Sequence, residues 1–366
     1  MLVVTPDFPP GPGGIQILAE RVTAGLAGME PRVVTIDAQS AAAFDATRPY
    51  RVVRSRRLPT RLLSNVVLSV RTLGEALRMR PDVVLVVHLV CAPAAWAVRA
   101  LLPGHPPFAL YLHADEMTAR RRLTRRALRT ADVAIAVSDY TRRLARDAGA
   151  PSRRLRCIPP GVDLPGPTRV TRDDRPTVLT VARLTDRYKG HDVMIRAMAL
   201  VRESVPEARW VVVGDGALRG ELEAAAREHG VADAVTFTGA LSDVERDAWL
   251  DRAHVFAMPS RLPPTRSGGE GFGIVYLEAA AHGLPVVAGN VAGALDAVQD
   301  DETGLLVDPS DAGAVAGALV ALLTDPHRAR AMGEAGARRA EEFAWPLIAE
   351  RVREVLLGLG EQSPVR

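Results

Sequence analysis

Short runs of branched apolar residues, each about a strand long, recur along the whole chain with helical periodicity between them. In the first half they are Leu2 to Thr5, Arg32 to Ile36, Val83 to His88, Phe108 to His113, Val133 to Ser138 and Leu155 to Ile158. The second half repeats the scheme at Val178 to Ala182, Trp210 to Gly214, Val235 to Thr238, Val255 to Pro259, Pro285 to Gly289 and Gly304 to Val307. Strands that alternate with helices such as Gln16 to Ala27 and Thr141 to Asp147 pair in parallel and are buried on both faces. The stretch Pro159 to Pro167 is rich in proline and glycine and reads as a linker. At 366 residues the chain is too long for one core and suits two of roughly 150 to 180 residues. The expected fold class is therefore α/β, two Rossmann-like doubly wound domains facing each other across a cleft.

Chemistry concentrates in Ser267-Gly268-Gly269-Glu270-Gly271-Phe272-Gly273-Ile274-Val275-Tyr276-Leu277-Glu278. Two carboxylates eight residues apart flank a glycine-rich helix start, so Glu278 lies inside the helix and Glu270 on the loop ahead of it. They are not a side-by-side acid pair. The amides of Gly271 to Ile274 are donors at a helix N-terminus, where an anion or sugar hydroxyls are favoured. This suits a nucleotide sugar, with one carboxylate on the sugar, one on the ribose and the amides between. Of 46 basic side chains only Lys189 is a lysine. It follows Arg183 by six residues, directly behind the strand Val178 to Val181, so both cations can reach one diphosphate at a strand's carboxyl end.

Together these segments, with Thr5 to Gln16 at the start and Phe343-Ala344-Trp345 near the end, resemble the family 4 glycosyltransferases of the GT-B fold. These are retaining enzymes that include the phosphatidylinositol mannosyltransferases of actinobacteria. The resemblance implies an N-terminal acceptor-side domain, residues 1–163, completed by a C-terminal helix in residues 344–366, and a nucleotide-sugar donor domain, residues 164–343. It also implies hexosyl transfer (mannose, glucose or N-acetylhexosamine) from a GDP- or UDP-linked donor to the hydroxyl of a lipid, polysaccharide or natural-product scaffold. No metal or other cofactor is expected, since basic side chains take the diphosphate and no Asp-x-Asp signature is present. Arg183, Lys189 and the Gly14 amides would hold the diphosphate, Glu270 the sugar hydroxyls and Glu278 the ribose. Closure of the cleft would complete the site.

The first domain has its own glycine turn, Pro9 to Gly14, in which Gly13 and Gly14 let backbone approach a ligand at a helix N-terminus. No Gly-x-Gly-x-x-Gly spacing is present, which counts against a nicotinamide dehydrogenase. Gly214, in Gly214-Asp215-Gly216, ends a strand, and in the family this turn lines the donor cleft. His113 ends the strand Phe108 to His113, and in the family a histidine here contacts the transferred sugar and the reacting centre. Two departures stand out: Ala114 replaces the usual glycine, and Val291 to Asp296 ends in aspartate where relatives carry glutamate.

Composition narrows the class further. Apolar residues at 48% with 24% charged describe a globular protein, no run of 18 apolar residues is present, and Met1 to Thr5 reads as a strand without a signal peptide's features. Cys91 and Cys157 have no metal spacing and read as reduced core thiols of a cytoplasmic protein. Arginines cluster at Arg51 to Arg61 and at Arg120, Arg121, Arg122, Arg125, Arg126 and Arg129. The second cluster has the spacing of a helix lying on an anionic membrane, which leaves peripheral contact at the inner face open beside plain surface charge. Aromatics at 4% with no stacking platform argue against nucleic acid. A sugar phosphorylase or sugar-nucleotide epimerase on the same fold, and a non-catalytic nucleotide or anionic-lipid binder, remain as alternatives. The oligomeric state is open.

Overall fold

The computed structural model describes residues 1–11, 13–166, 171–264 and 268–361. Pro12 of the first glycine turn, Pro167 of the linker and Ser267 of the acidic segment lie outside the described residues. The chain divides into two compact units, one of residues 1–161 with the helix Trp345–Glu361, the other Val162–Ala344.

The first unit is a seven-stranded parallel sheet. Its strands are β1 (Leu2–Val4), β2 (Arg32–Ile36), β3 (Arg51–Ser55), β4 (Val84–Val86), β5 (Phe108–Leu112), β6 (Val133–Ala136) and β7 (Leu155–Cys157), in the order β3-β2-β1-β4-β5-β6-β7. Val3 is level with Val33 on one side and Leu85 on the other. The residues of β1, β4 and β5 are buried on both faces, which is why these strands read as unbroken apolar runs rather than alternating ones. The helix Trp345–Glu361 lies on the helix Gly14–Gly25, where Gly25 has no side chain and so admits the Ala349 methyl.

The edge strand β3 falls in the segment read as an arginine cluster. Arg51 faces solvent, but the Arg54 guanidinium is withdrawn and donates to both Asp45 carboxylate oxygens at 2.8 Å and to the Pro9 carbonyl at 2.5 Å. An edge strand needs only one paired side and tolerates charge, so charge hid its alternation. Cys157 corrects the thiol reading: Cys91 is buried, whereas Cys157 is exposed on the edge strand β7.

The second unit is a six-stranded parallel sheet, β8 (Thr177–Val181), β9 (Arg209–Val213), β10 (Val235–Gly239), β11 (Val255–Met258), β12 (Val286–Gly289) and β13 (Gly304–Val307), in the order β10-β9-β8-β11-β12-β13. Trp210 anchors its core, fully buried, edge-on to Phe237 at 6.3 Å and donating its indole N–H to Thr180 Oγ1 at 2.9 Å. In each unit the strand order reverses once, between β1 and β4 and between β8 and β11. A crevice opens beyond the carboxyl ends of the strands at such a reversal, and ligands of open α/β sheets bind there.

Candidate active site

The loops leaving β8 and β11 bring two distant residues together at the second reversal. A 3-10 turn, Arg187–Lys189, is stopped by Gly190 in the left-handed region (φ 81°), and the helix His191–Ser204 begins. This turns the Lys189 ammonium onto the Glu270 carboxylate, 81 residues away, in an ion pair whose side chains are only 13% and 15% exposed. Arg183 behaves differently: its side chain is 65% exposed, with a long 3.7 Å contact to Asp186. His191, one turn on, is 3% exposed, and burial, then the Lys189 charge, lower its pKa to about 4.

Glu270 lies on the loop and Glu278 in the second turn of the helix Ile274–Ala281, as their spacing required. Gly273 caps that helix with φ 93°, and a Cβ there would strike the Tyr276 ring. Tyr276 in turn donates its hydroxyl to the Met258 carbonyl at 2.8 Å and meets Phe256 edge-on, fastening the helix start to the end of β11. The Gly293 N–H donates to the Glu270 carbonyl at 3.0 Å, and the same glycine leaves room for the Gly271 carbonyl. The loop Val291 to Asp296, where the sequence departs from its relatives, thus supports the Glu270 backbone directly.

Glu278 does not join the Lys189 pair. Burial raises its carboxyl pKa, Arg246 of the helix Asp243–Arg252 pulls it back, and Asp247, Asp163 and Asp243 push it up again. Arg246 makes its ion pairs with Asp243 and Asp247 and reaches Glu278 only through its charge. Arg246 went unnoticed in the sequence because nothing local marks it; a helix 32 residues before Glu278 delivers it. The Phe272 ring packs into the unit against Phe343 at 5.9 Å, which leaves main chain as what this residue can offer a ligand. Gly271 and Ile274 remain at the helix start. Gly214 has φ 143° and sits against the Ala182 carbonyl, so packing of the β8 and β9 exits demands glycine whatever lies beyond it.

In the first unit Gly13 is the N-cap of the helix Gly14–Gly25, with Gln16 folded over it and Gly14 exposed. His113 caps the helix Ala114–Ala119 in a reciprocal arrangement with Glu116. Its Nε2 is 3.0 Å from the Val87 carbonyl, a contact that requires the Nε2–H tautomer, and its ring stacks on Tyr111 at 6.4 Å. Burial lowers its pKa, which keeps the imidazole neutral. Ala114 is helical and buried, so the position calls for no glycine. His88 stands 2.7 Å from Glu116 in the same cluster. Among the described residues no group of three or more His, Cys, Asp or Glu side chains gathers as a metal site, and no helix is long and apolar enough to cross a membrane.

The fold matches solved glycosyltransferase-type structures. Sucrose-phosphate synthase from Thermosynechococcus elongatus superposes with a TM-score of 0.83 at 23% identity, covering 99% of both chains. Two doubly wound parallel units of this kind are the GT-B architecture, and the protein is a glycosyltransferase. Residues 12–165 match the family model Glycosyltransferase Family 4, and residues 168–339 match Glycosyl transferases group 1. A GDP-mannose-dependent alpha-(1-6)-phosphatidylinositol monomannoside mannosyltransferase of Mycobacterium tuberculosis is 38% identical over 98% of both chains. The corresponding enzyme of Corynebacterium glutamicum, named for a monoacylated acceptor, is 33% identical over 97% of both. The chain belongs to this family.

Proposed function

We propose that the protein is a retaining mannosyltransferase that takes its sugar from GDP-mannose and delivers it to a hydroxyl of an inositol-containing glycolipid. The observation that carries this reading is the Lys189–Glu270 pair at the β8/β11 reversal, beside a glycine-capped helix start. On this reading the Lys189 ammonium turns from Glu270 to the donor diphosphate, which frees the carboxylate for sugar hydroxyls. Arg183, already exposed, adds a second cation. The helix amides of Gly271 to Ile274 meet the developing negative charge, and most of the rate comes from such fixed charges and dipoles. Glu278 accepts from the ribose hydroxyls, and the leaving phosphate takes the acceptor's proton, so no protein nucleophile is needed. The choice of mannose and guanosine diphosphate rests on the relatives named above.

A glycolipid acceptor calls for contact with a membrane. The helix Arg121–Thr130 exposes arginines and buries Thr124, Ala127 and Leu128, while Arg126 lies over the Trp96 ring at 4.2 Å. A run of exposed apolar side chains lies elsewhere, on the helix Arg61–Met79: Leu62, Leu63, Val66, Val70 and Leu77 are each at least half exposed, with Arg61, Arg71 and Arg78 beside them. An apolar stripe flanked by cations is the pattern of a helix that lies in an anionic lipid surface, and we assign the contact to this helix, at the cytoplasmic face.

Incubation with GDP-mannose and mannosylated phosphatidylinositol, read by the anomeric coupling of the product, tests the proposal. An α-linked mannolipid is expected. Donor turnover without acceptor would point to an epimerase, and no turnover of any nucleotide sugar would overturn the enzymatic reading.

A further inference from the structure

Around the reversal in the first unit, His113 meets two side chains given no role above: His88 after β4 and Glu116 after β5. Glu116, only 7% exposed, is the hub. Its Oε2 accepts from the Leu89 N–H at 2.7 Å and stands 2.7 Å from His88 Nδ1, and its Oε1 accepts from the His113 N–H at 3.3 Å. The Val90 N–H also lies 3.4 Å from His88 Nδ1. A ring nitrogen that close to a carboxylate oxygen carries a proton, so Nδ1 donates to Glu116 and the amide contact is the lesser one. Two of the three donors are main-chain amides from the ends of β4 and β5. One carboxylate thereby sets the spacing of the two strand ends that flank the crevice, and His113, bonded to Val87 at the end of β4, depends on that spacing.

We propose that Glu116 and His88 are positioning residues for His113: the carboxylate ties the β4 and β5 ends together, and the His88 N–H completes the tie. This rests on the reading of His113 as a residue of the sugar-transfer site. The groups facing His88 are Glu116 and Arg120 from the helix after β5, Asp7 from the loop after β1, and His113. Burial alone would lower the His88 pKa, but the charge and hydrogen bond of Glu116, helped by Asp7 and opposed by Arg120, carry it above the usual value. The raised pKa favours the doubly protonated ring, whose Nδ1–H donates to Glu116. As pH rises His88 loses its Nε2 proton and keeps Nδ1–H on Glu116; the hydrogen bond then lacks the ring's positive charge, and the tie weakens. The step at risk is transfer more than donor capture, because the groups read as holding the diphosphate and ribose, Arg183, Lys189, Glu278 and the Gly14 amides, are not the ones this tie positions.

Histidine-selective NMR on the intact protein tests the tie without requiring turnover, so its result is independent of the assigned reaction. In the wild type, the His113 ring signals should show a second inflection at the His88 midpoint, above 6.5. Glu116→Gln should lower that midpoint, abolish the inflection and speed exchange of the His113 Nε2 proton. Unmoved His113 signals in Glu116→Gln would overturn the proposal. Turnover supplies the second readout. Glu116→Gln should lower kcat about 10- to 100-fold with KM for the donor unchanged, the scale of a misplacement of about 1 Å. His88→Asn, which keeps an N–H donor that does not titrate, should retain more kcat than His88→Ala and lose the alkaline fall. An alkaline fall that persists unchanged in His88→Asn would also refute it.

Discussion

Replacing Lys189 with alanine strips Glu270 of its cation and the diphosphate of its ammonium at once, and the two losses can be measured apart. The pair's side chains are 13% and 15% exposed. Unit charges about 4 Å apart attract by about 4 kcal/mol at an effective dielectric of 20, against about 1 kcal/mol in bulk water. Desolvation offsets much of this gain, so the relevant quantity is the cost of leaving one charge behind. That cost is about 3–5 kcal/mol for a fully buried pair and about 0–1 kcal/mol for an exposed one. At this burial, Lys189→Ala should lose about 1–3 kcal/mol of stability, read as a lower urea midpoint at constant slope. Adding Glu270→Gln removes the stranded charge and should recover about 1 kcal/mol or more, a coupling that a double-mutant cycle isolates. On the donor side, losing a charge-paired contact of about 2–5 kcal/mol lowers kcat/KM by about 30- to 5,000-fold. Lys189→Arg should also fall, by about tenfold or more, since a planar fork does not replace a compact ammonium. Turnover of Lys189→Ala within about threefold of wild type (well under 1 kcal/mol) and an unmoved urea midpoint would together refute the reasoning.

Glu278→Gln should weaken binding of free nucleoside diphosphate and donor alike, whereas Glu270→Gln should spare the free nucleotide; calorimetry showing equal loss of nucleotide affinity in both would reverse the roles. His191, with its folded pKa lowered to about 4, contributes stability that is complete above about 6.5 and lost as pH falls toward 4, because the unfolded chain takes up the proton first. The full loss is about 3 kcal/mol, and His191→Leu should narrow the difference in urea midpoint between neutral pH and pH ~4.5; an unchanged difference refutes the assignment. Replacing Leu62, Val66 and Val70 with serine should reduce co-sedimentation with anionic vesicles while leaving nucleotide affinity alone. Retained vesicle binding would show that the stripe on this helix is not the contact.

Local pattern made the two sheets legible. Apolar runs the length of a strand, separated by helical periods, admit little but parallel pairing buried on both faces, and among the described residues twelve of the thirteen strands sit where those runs are. The glycine-rich turn and the spacing of Glu270 and Glu278 likewise put one acid on a loop and the other in the helix, because both facts live within twelve residues. What required the folded chain is everything that joins distant segments. Strand order, which no local pattern encodes, carries Lys189 to Glu270, brings the charge of Arg246 within reach of Glu278, and assembles His88, His113 and Glu116 at the ends of neighbouring strands. Burial is a tertiary property too: it turned the Phe272 ring inward, left Cys157 exposed, and lowered the pKa of His113 while Glu116 raised that of His88. Residue types and spacings determine which elements form and which chemistry is on hand; the cost of desolvating a charge, and so its partner and protonation state, exists only once packing has excluded water around it.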